Sequence, residues 1–487
     1  MDIILLRWCV DNADDHDHLQ LQQLHRDMTS PTNDVIERNI LPATTTTKRQ
    51  RAGDEDSGGS AASVGFVLAL AYFLKVFIGC GIYALPEVTL YGCTELWLLS
   101  FVYAIVALCL YILITNANGS KTYPEFVQKT FDSGDGGFPK VSKVFRISVI
   151  ILGFAFSICV CSVYLIFIAT HVSKVIFVSI YYDESNPFEL ITFVKRLNDL
   201  ECRWSIPVVA IILLVLCFLP IWSKIALYIV ASIGIICQLL VIMLALGYVF
   251  EHDNVSKFGL LNKKQDITTI FISQSIATYA GEGINLIFPL LAAMKEPDKF
   301  IGCPSLLCCG VITVKMVAII FAAAGGQKLH FYLHLCRFQM LYYNTVFEKV
   351  LKLLAALSLM CTYPMQLDAA YHYIADEVNI DSKKAAQYGL RALLVVVTVP
   401  FALIPDVYLI YFMGIIGSLC LSFLVLIVPG LIPFCTKNYG KIYWMAILGV
   451  LAIIIGILIF FGGTLAMVIE WHDYDSRSIS LPKIDFQ

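Results

Sequence analysis

The chain has 487 residues, 58% of them hydrophobic and only 15% charged, with a mean hydropathy of +0.76. A soluble fold of this length could not hide so much apolar side chain, and the 13% aromatic content excludes a disordered or low-complexity chain. Lys and Arg number 34 against 37 Asp and Glu, a net charge of -3 with no basic excess to hold nucleic acid.

Residues 1–63 form a separate compositional zone, with DNADDHDHLQ, a TTTT run, KRQR and EDSGG, and read as a disordered cytosolic tail. His16, His18 and His25 among its acids read as a solvated acidic stretch rather than a metal site. Asp2-Ile-Ile-Leu-Leu6 has the form of an acidic dileucine sorting signal, a string short enough to arise by chance. From Val64 the chain becomes a series of apolar stretches at about 64–90, 95–115, 144–178, 205–221, 223–250, 267–292, 301–324, 346–375, 388–409, 410–435 and 442–470. The expectation is an all-α integral membrane protein with eleven spans over 64–470, followed by a short extracytosolic tail at 471–487. The 16 Cys lie mostly inside apolar runs, where Cys behaves as a small hydrophobe. Zinc spacing is absent, so neither a metal nor a cofactor is expected.

Fifteen Lys and Arg near the span ends on one side, against ten on the other, favour an inside amino terminus. The sequon Asn254-Val-Ser256 then falls in an outer loop open to glycosylation, whereas Asn118-Gly-Ser120 falls inside and stays bare.

Two spans are interrupted in the same way. The first carries Gly79-Cys80-Gly81-Ile82 and then Pro86; the sixth carries Gly281-Glu282-Gly283-Ile284 and then Pro289, 202 residues on. Two glycines weaken a helix, and proline removes a backbone donor, so both segments are expected to unwind near the bilayer midplane. Unwound backbone in lipid must line a polar cavity or the protein interior. Matched interruptions point to a secondary transporter built as a five-plus-five inverted repeat, with the eleventh span appended. Free N–H groups at half-helix amino termini suit a carboxylate and released carbonyls suit an ammonium, which fits a small zwitterion. The bland reading of each GxG is close helix packing. Large side chains at Gly79, Gly81, Gly281 and Gly283 are expected to block ligand approach and strain the unwound backbone.

The same residues carry a resemblance. Leu74-Lys-Val-Phe-Ile-Gly-Cys-Gly-Ile-Tyr-Ala-Leu-Pro86, Cys161-Ser-Val-Tyr-Leu-Ile-Phe167, Tyr279-Ala-Gly-Glu-Gly-Ile284, Met294-Lys-Glu-Pro-Asp-Lys-Phe300, Thr362-Tyr-Pro-Met-Gln366 and Ile416-Gly-Ser418 cover the membrane portion. On these blocks the chain resembles the amino acid/auxin permease family, and within it the proton-coupled amino acid transporter branch. The resemblance implies an eleven-helix inverted-repeat fold and symport of small neutral amino acids, with a proton gradient as the candidate driving force. It also implies a disulfide between Cys202 and Cys336, which fall in two outer loops of this topology. The chain departs from the branch at Tyr72, where a coupling His usually stands, and at Cys80, which replaces a small hydroxyl residue.

The expected substrate-binding residues are Gly79, Cys80, Gly81, Ile82, Ser162, Tyr164, Tyr279, Glu282 and Gly283. Glu282 is the coupling candidate, its alternative being a structural acceptor for unwound backbone. Tyr72 cannot replace the His, because a phenol loses its proton near pH 10. Tyr363 offers a further hydroxyl, Lys75 is expected to pair with a carboxylate across the bundle, and Lys315 is assigned no role. His171 and His372 read as interfacial packing. No zinc or acyltransferase signature marks an enzyme, and paired breaks in one chain do not suit a channel. An amino-acid-sensing receptor using the same cavity without net transport stays open. The membrane is the plasma membrane or a lysosomal or endosomal one; oligomeric state is not readable, and lipid is the remaining partner.

Overall fold

The structure is a computed structural model; it describes residues 64–85, 93–117, 119–132, 139–181, 205–251, 266–281, 283–325, 346–378, 380, 383–405, 408–435 and 443–480. Among these the chain is helical, with one isolated parallel bridge between Val64 and Met294.

Helix α1 (Phe66–Phe77) stops at Ile78, and Gly79, in extended backbone, leads into a short 3-10 turn at Cys80–Ala84. Helix α2 is Cys93–Thr115, α3 the amphipathic Tyr123–Asp132, and α4 the 43-residue Pro139–Tyr181. Helix α5 (Ser205–Trp222) and α6 (Lys224–Glu251) meet at an extended Ser223, so the Trp222-Ser-Lys224 punctuation does divide two helices. Helix α7 (Ile267–Tyr279) breaks at Ala280; after a 3-10 turn at Ile284–Leu286, α8 (Ile287–Ala293) completes the second interrupted segment. There follow α9 (Leu306–Gly325), α10 (Val346–Val378), α11 (Lys384–Phe401), α12 (Leu409–Cys435) and α13 (Trp444–Asp473). Within α12 the stretch Gly417–Ile427 is wound as a π-helix, the wider form that tends to appear where a helix is adapted to a site.

Eight of the described helices are long and apolar enough to cross a bilayer, the α7–α8 pair counted as one, and Phe66–Phe77 and Leu306–Ala322 are shorter apolar helices. Large hydrophobics stand exposed along the outer faces, including Val67 at 79%, Trp97 at 77% and Ile236 at 66%. In water such faces would be sticky; against lipid they are the solvent side. The polar side chains turn inward instead, and Lys75, Ser162, Gln238, Ser358, Thr362 and Gln366 are all at 0% exposure.

The two interrupted segments are tied together at one end. Val64 N–H donates to Ala293 O at 2.9 Å, and Lys295 N–H donates to Val64 O at 2.9 Å. Two hydrogen bonds thereby zip the start of α1 to the end of α8. Helix α10 packs against α4 and α6 and forms the wall facing the breaks.

Candidate functional site at two facing helix breaks

The breaks pack directly on each other. Cys80 Sγ lies 3.3 Å from Tyr279 Oη, a contact from the first break to the residue that opens the second. A methyl group added at Gly81 would come within 2.6 Å of Ala280 Cα, and one at Gly283 within 2.5 Å of the Phe77 ring. Gly417, at the start of the π-helical stretch, presses on Ser275 O and the Tyr279 backbone from a third side. Tyr279 is fully buried between them.

The backbone strain expected at these glycines is not present at Gly79 or Gly283. Gly79 has φ -94° and Gly283 φ -85°, backbone that any residue adopts, and Gly119 is the one described glycine with positive φ. Conformational freedom is therefore not what Gly283 supplies; the absence of a Cβ is, because Phe77 fills that space. Gly281 is the exception, since a methyl there would meet only Thr278 O, at an ordinary 3.4 Å. It is the glycine of the second break whose open side the described protein leaves unfilled.

Behind the first break a polar hub joins α1, α6 and α10. Lys75 Nζ donates to Ser358 Oγ at 2.9 Å, Gln238 Oε1 at 3.3 Å and Ile78 O at 3.4 Å, the last being a carbonyl at the break itself. Ser358 Oγ is within 2.7 Å of Gln238 Oε1, and Gln238 Nε2 donates to Tyr83 Oη at 2.8 Å. A buried ammonium needs such partners, because transfer from water into an apolar interior is costly. The expected cross-bundle partner of Lys75 is thus in part a set of neutral oxygens. A second hub holds the far side of the other break: Asn285 Nδ2 donates to Ser157 Oγ at 3.0 Å and Gly153 O at 3.2 Å, and Tyr373 Oη donates to Asn285 Oδ1 at 2.8 Å.

Ser162 is buried on α4 and bonds Ile158 O at 2.8 Å and, across helices, Thr398 O at 3.1 Å. Thr398 also pairs with Tyr363 Oη at 2.9 Å, so Ser162 and Tyr363 belong to one cluster at α11. Tyr164 and Ile82 are buried in the core. His171 stacks on Phe167 at 4.0 Å, while His372 lies between Asp368 and Asp376, beside the Asp368–Arg391 pair. That charged group on α10 and α11, like the Asn285 hub, was missed from sequence, since nothing local announces which distant side chains meet. Glu282, Cys202, Cys336 and Asn254 lie outside the described residues, as does the acidic tail. No disulfide joins the cysteines whose side chains are described, and no three described His, Cys, Asp or Glu groups gather as metal ligands would.

A helical membrane chain whose two interrupted segments pack on each other, with buried polar hubs behind them, is built as a transporter. It belongs to the transmembrane amino acid transporter protein family, whose model matches residues 63–469. The proton-coupled amino acid transporter-like protein pathetic of Drosophila melanogaster is 23% identical over 403 residues, covering 77% of this chain and 79% of that protein. Among solved structures, a nucleobase-cation-symport-1 family transporter in a closed conformation with bromovinylhydantoin bound superposes with a TM-score of 0.49 at 12% identity, over 86% of this chain and 94% of that one. A Na+-coupled sialic acid symporter in a substrate-bound outward-open state gives 0.42 at 10% identity, over 84% and 91%.

Proposed function

We propose that the protein is a symporter of small neutral amino acids, with eleven spans in a five-plus-five inverted repeat and the amino terminus inside. The observation that carries this reading is the contact of the two breaks, where Cys80 meets Tyr279 and Gly81 meets Ala280. In an inverted repeat the first and sixth spans correspond, and their exposed half-helix ends hold the zwitterion. Reading α1 with its 3-10 turn, α9 and α11 as crossings beside the eight long apolar helices is consistent with eleven.

Coupling is assigned to Glu282, between the two glycines of the second break, since Tyr72 offers no group that titrates near neutral pH. The similarity to a proton-coupled relative supports a proton as the driving ion. The test is uptake of radiolabelled neutral amino acids into proteoliposomes, with and without an inward proton gradient. Stimulation by the gradient, lost in Glu282→Gln, is expected. Uptake indifferent to the gradient removes the coupling assignment, and binding without flux turns the reading to a receptor.

A further inference from the structure

We infer that the side-chain amide of Gln366 contacts the transported molecule and selects for a neutral side chain that carries both a hydrogen-bond donor and an acceptor. This rests on the amino acid transport reading above and names the substrate class within it.

Gln366 sits in the middle of α10 at 0% exposure, and neither its Nε2 nor its Oε1 has a hydrogen-bond partner among the described residues. A buried primary amide with both ends unspent is rare in native proteins, because each atom forfeits its bonds to water and receives nothing in return. The surrounding packing is not careless about amides. Gln238 and Asn285, also buried, have both ends engaged. Gln274, on the arm of α7 that leads into the second break, is the other orphaned amide among the described residues, beside an orphaned Ser273 Oγ.

Position makes Gln366 the one to choose. At helical spacing it shares a stripe with Thr362, four residues before, and Tyr373, seven residues after. Tyr373 on that stripe reaches Asn285 in the second break, and α10 packs on both α4 and the 3-10 turn of that break. The stripe thus faces the region where the half-helix ends would hold a zwitterion. The ends of the broken helices take the ligand's two charges, which leaves the amide for its side chain. A hydroxyl or a carboxamide both donates and accepts, and satisfies Nε2 and Oε1 together. An aliphatic side chain leaves the amide orphaned, and an ionised one finds no countercharge in a neutral amide.

Competition against labelled uptake in proteoliposomes tests this with matched pairs, threonine against valine and serine against 2-aminobutyrate. The wild-type protein should favour the hydroxyl-bearing member about tenfold. Gln366→Leu and Gln366→Met should bring both ratios close to one while valine uptake persists. Equal competition by threonine and valine in the wild-type protein overturns the inference even if no variant folds. So does a ratio that survives in Gln366→Leu. A protein that takes up no neutral amino acid overturns the transport reading itself, and this inference with it.

Discussion

Gly281 and Gly283 look identical in sequence but differ in what surrounds them, and that difference can be measured. Overpacking a filled site costs about 1–3 kcal/mol, so Gly283→Ala should lower the melting temperature in detergent. Phe77→Leu in the same chain should recover more than half of the loss, because the Phe77 ring is what the new methyl strikes. If the two effects simply add, the contact is not responsible. Gly281→Ala should change stability by less than about 0.5 kcal/mol yet depress uptake, since its open side is free for the ligand. Gln238 gives a further test. Gln238→Leu removes an acceptor from the Lys75 ammonium and the donor from Tyr83, a loss of about 1–3 kcal/mol for groups left short of partners. Gln238→Glu keeps an acceptor and adds a countercharge, so its thermal stability should stay close to that of the native protein.

Helices of this molecule are interrupted where they meet, and each interruption is secured by an element elsewhere in the chain. The bridge through Val64 couples the start of α1 to the end of α8, so the two broken segments are set to move as one body at that end. Amide hydrogen exchange checks this directly: Val64 and Lys295 should be protected, though both lie at element boundaries where exchange is ordinarily fast. Val64→Pro removes the donor to Ala293 O and should release the protection at Lys295 as well. Unchanged exchange at Lys295 would mean that the two segments are not held this way. Asn285 does the corresponding job at the other break. Asn285→Ala strands Tyr373 Oη and Ser157 Oγ together, so its cost should exceed that of Ser157→Ala in a thermal melt.

For the whole molecule, the proposal of an inside amino terminus places Asn254, Cys202 and Cys336 on one face. Enzymatic deglycosylation should shift the protein's mobility, and Asn254→Gln should abolish that shift. Peptide mass spectrometry without reduction should find Cys202 joined to Cys336; free, alkylatable thiols at both positions would count against the disulfide and the topology that brings the two loops together. In the same experiment the cysteines buried within the helices, such as Cys80, Cys161 and Cys217, should resist alkylation until the protein is unfolded.

The sequence by itself determined the class of the protein. An apolar content this high demands a bilayer, and hydropathy marks helices in lipid well because each span satisfies its backbone bonds internally. It also located both breaks, since Gly and Pro act on the backbone within a few residues of where they stand. Only the tertiary structure shows what packs against those glycines. Whether Gly283 serves a ligand or a neighbouring ring depends on Phe77, more than two hundred residues earlier in the chain. The partners of Lys75, the Asn285 hub and the Asp368–Arg391 pair were beyond reach for the same reason. A polar residue in an apolar run announces that it must be satisfied, but its partner is chosen by how distant helices pack. Gln366 shows this most sharply. The sequence displays a glutamine in a span, and only the packed bundle reveals that nothing among the described residues satisfies it.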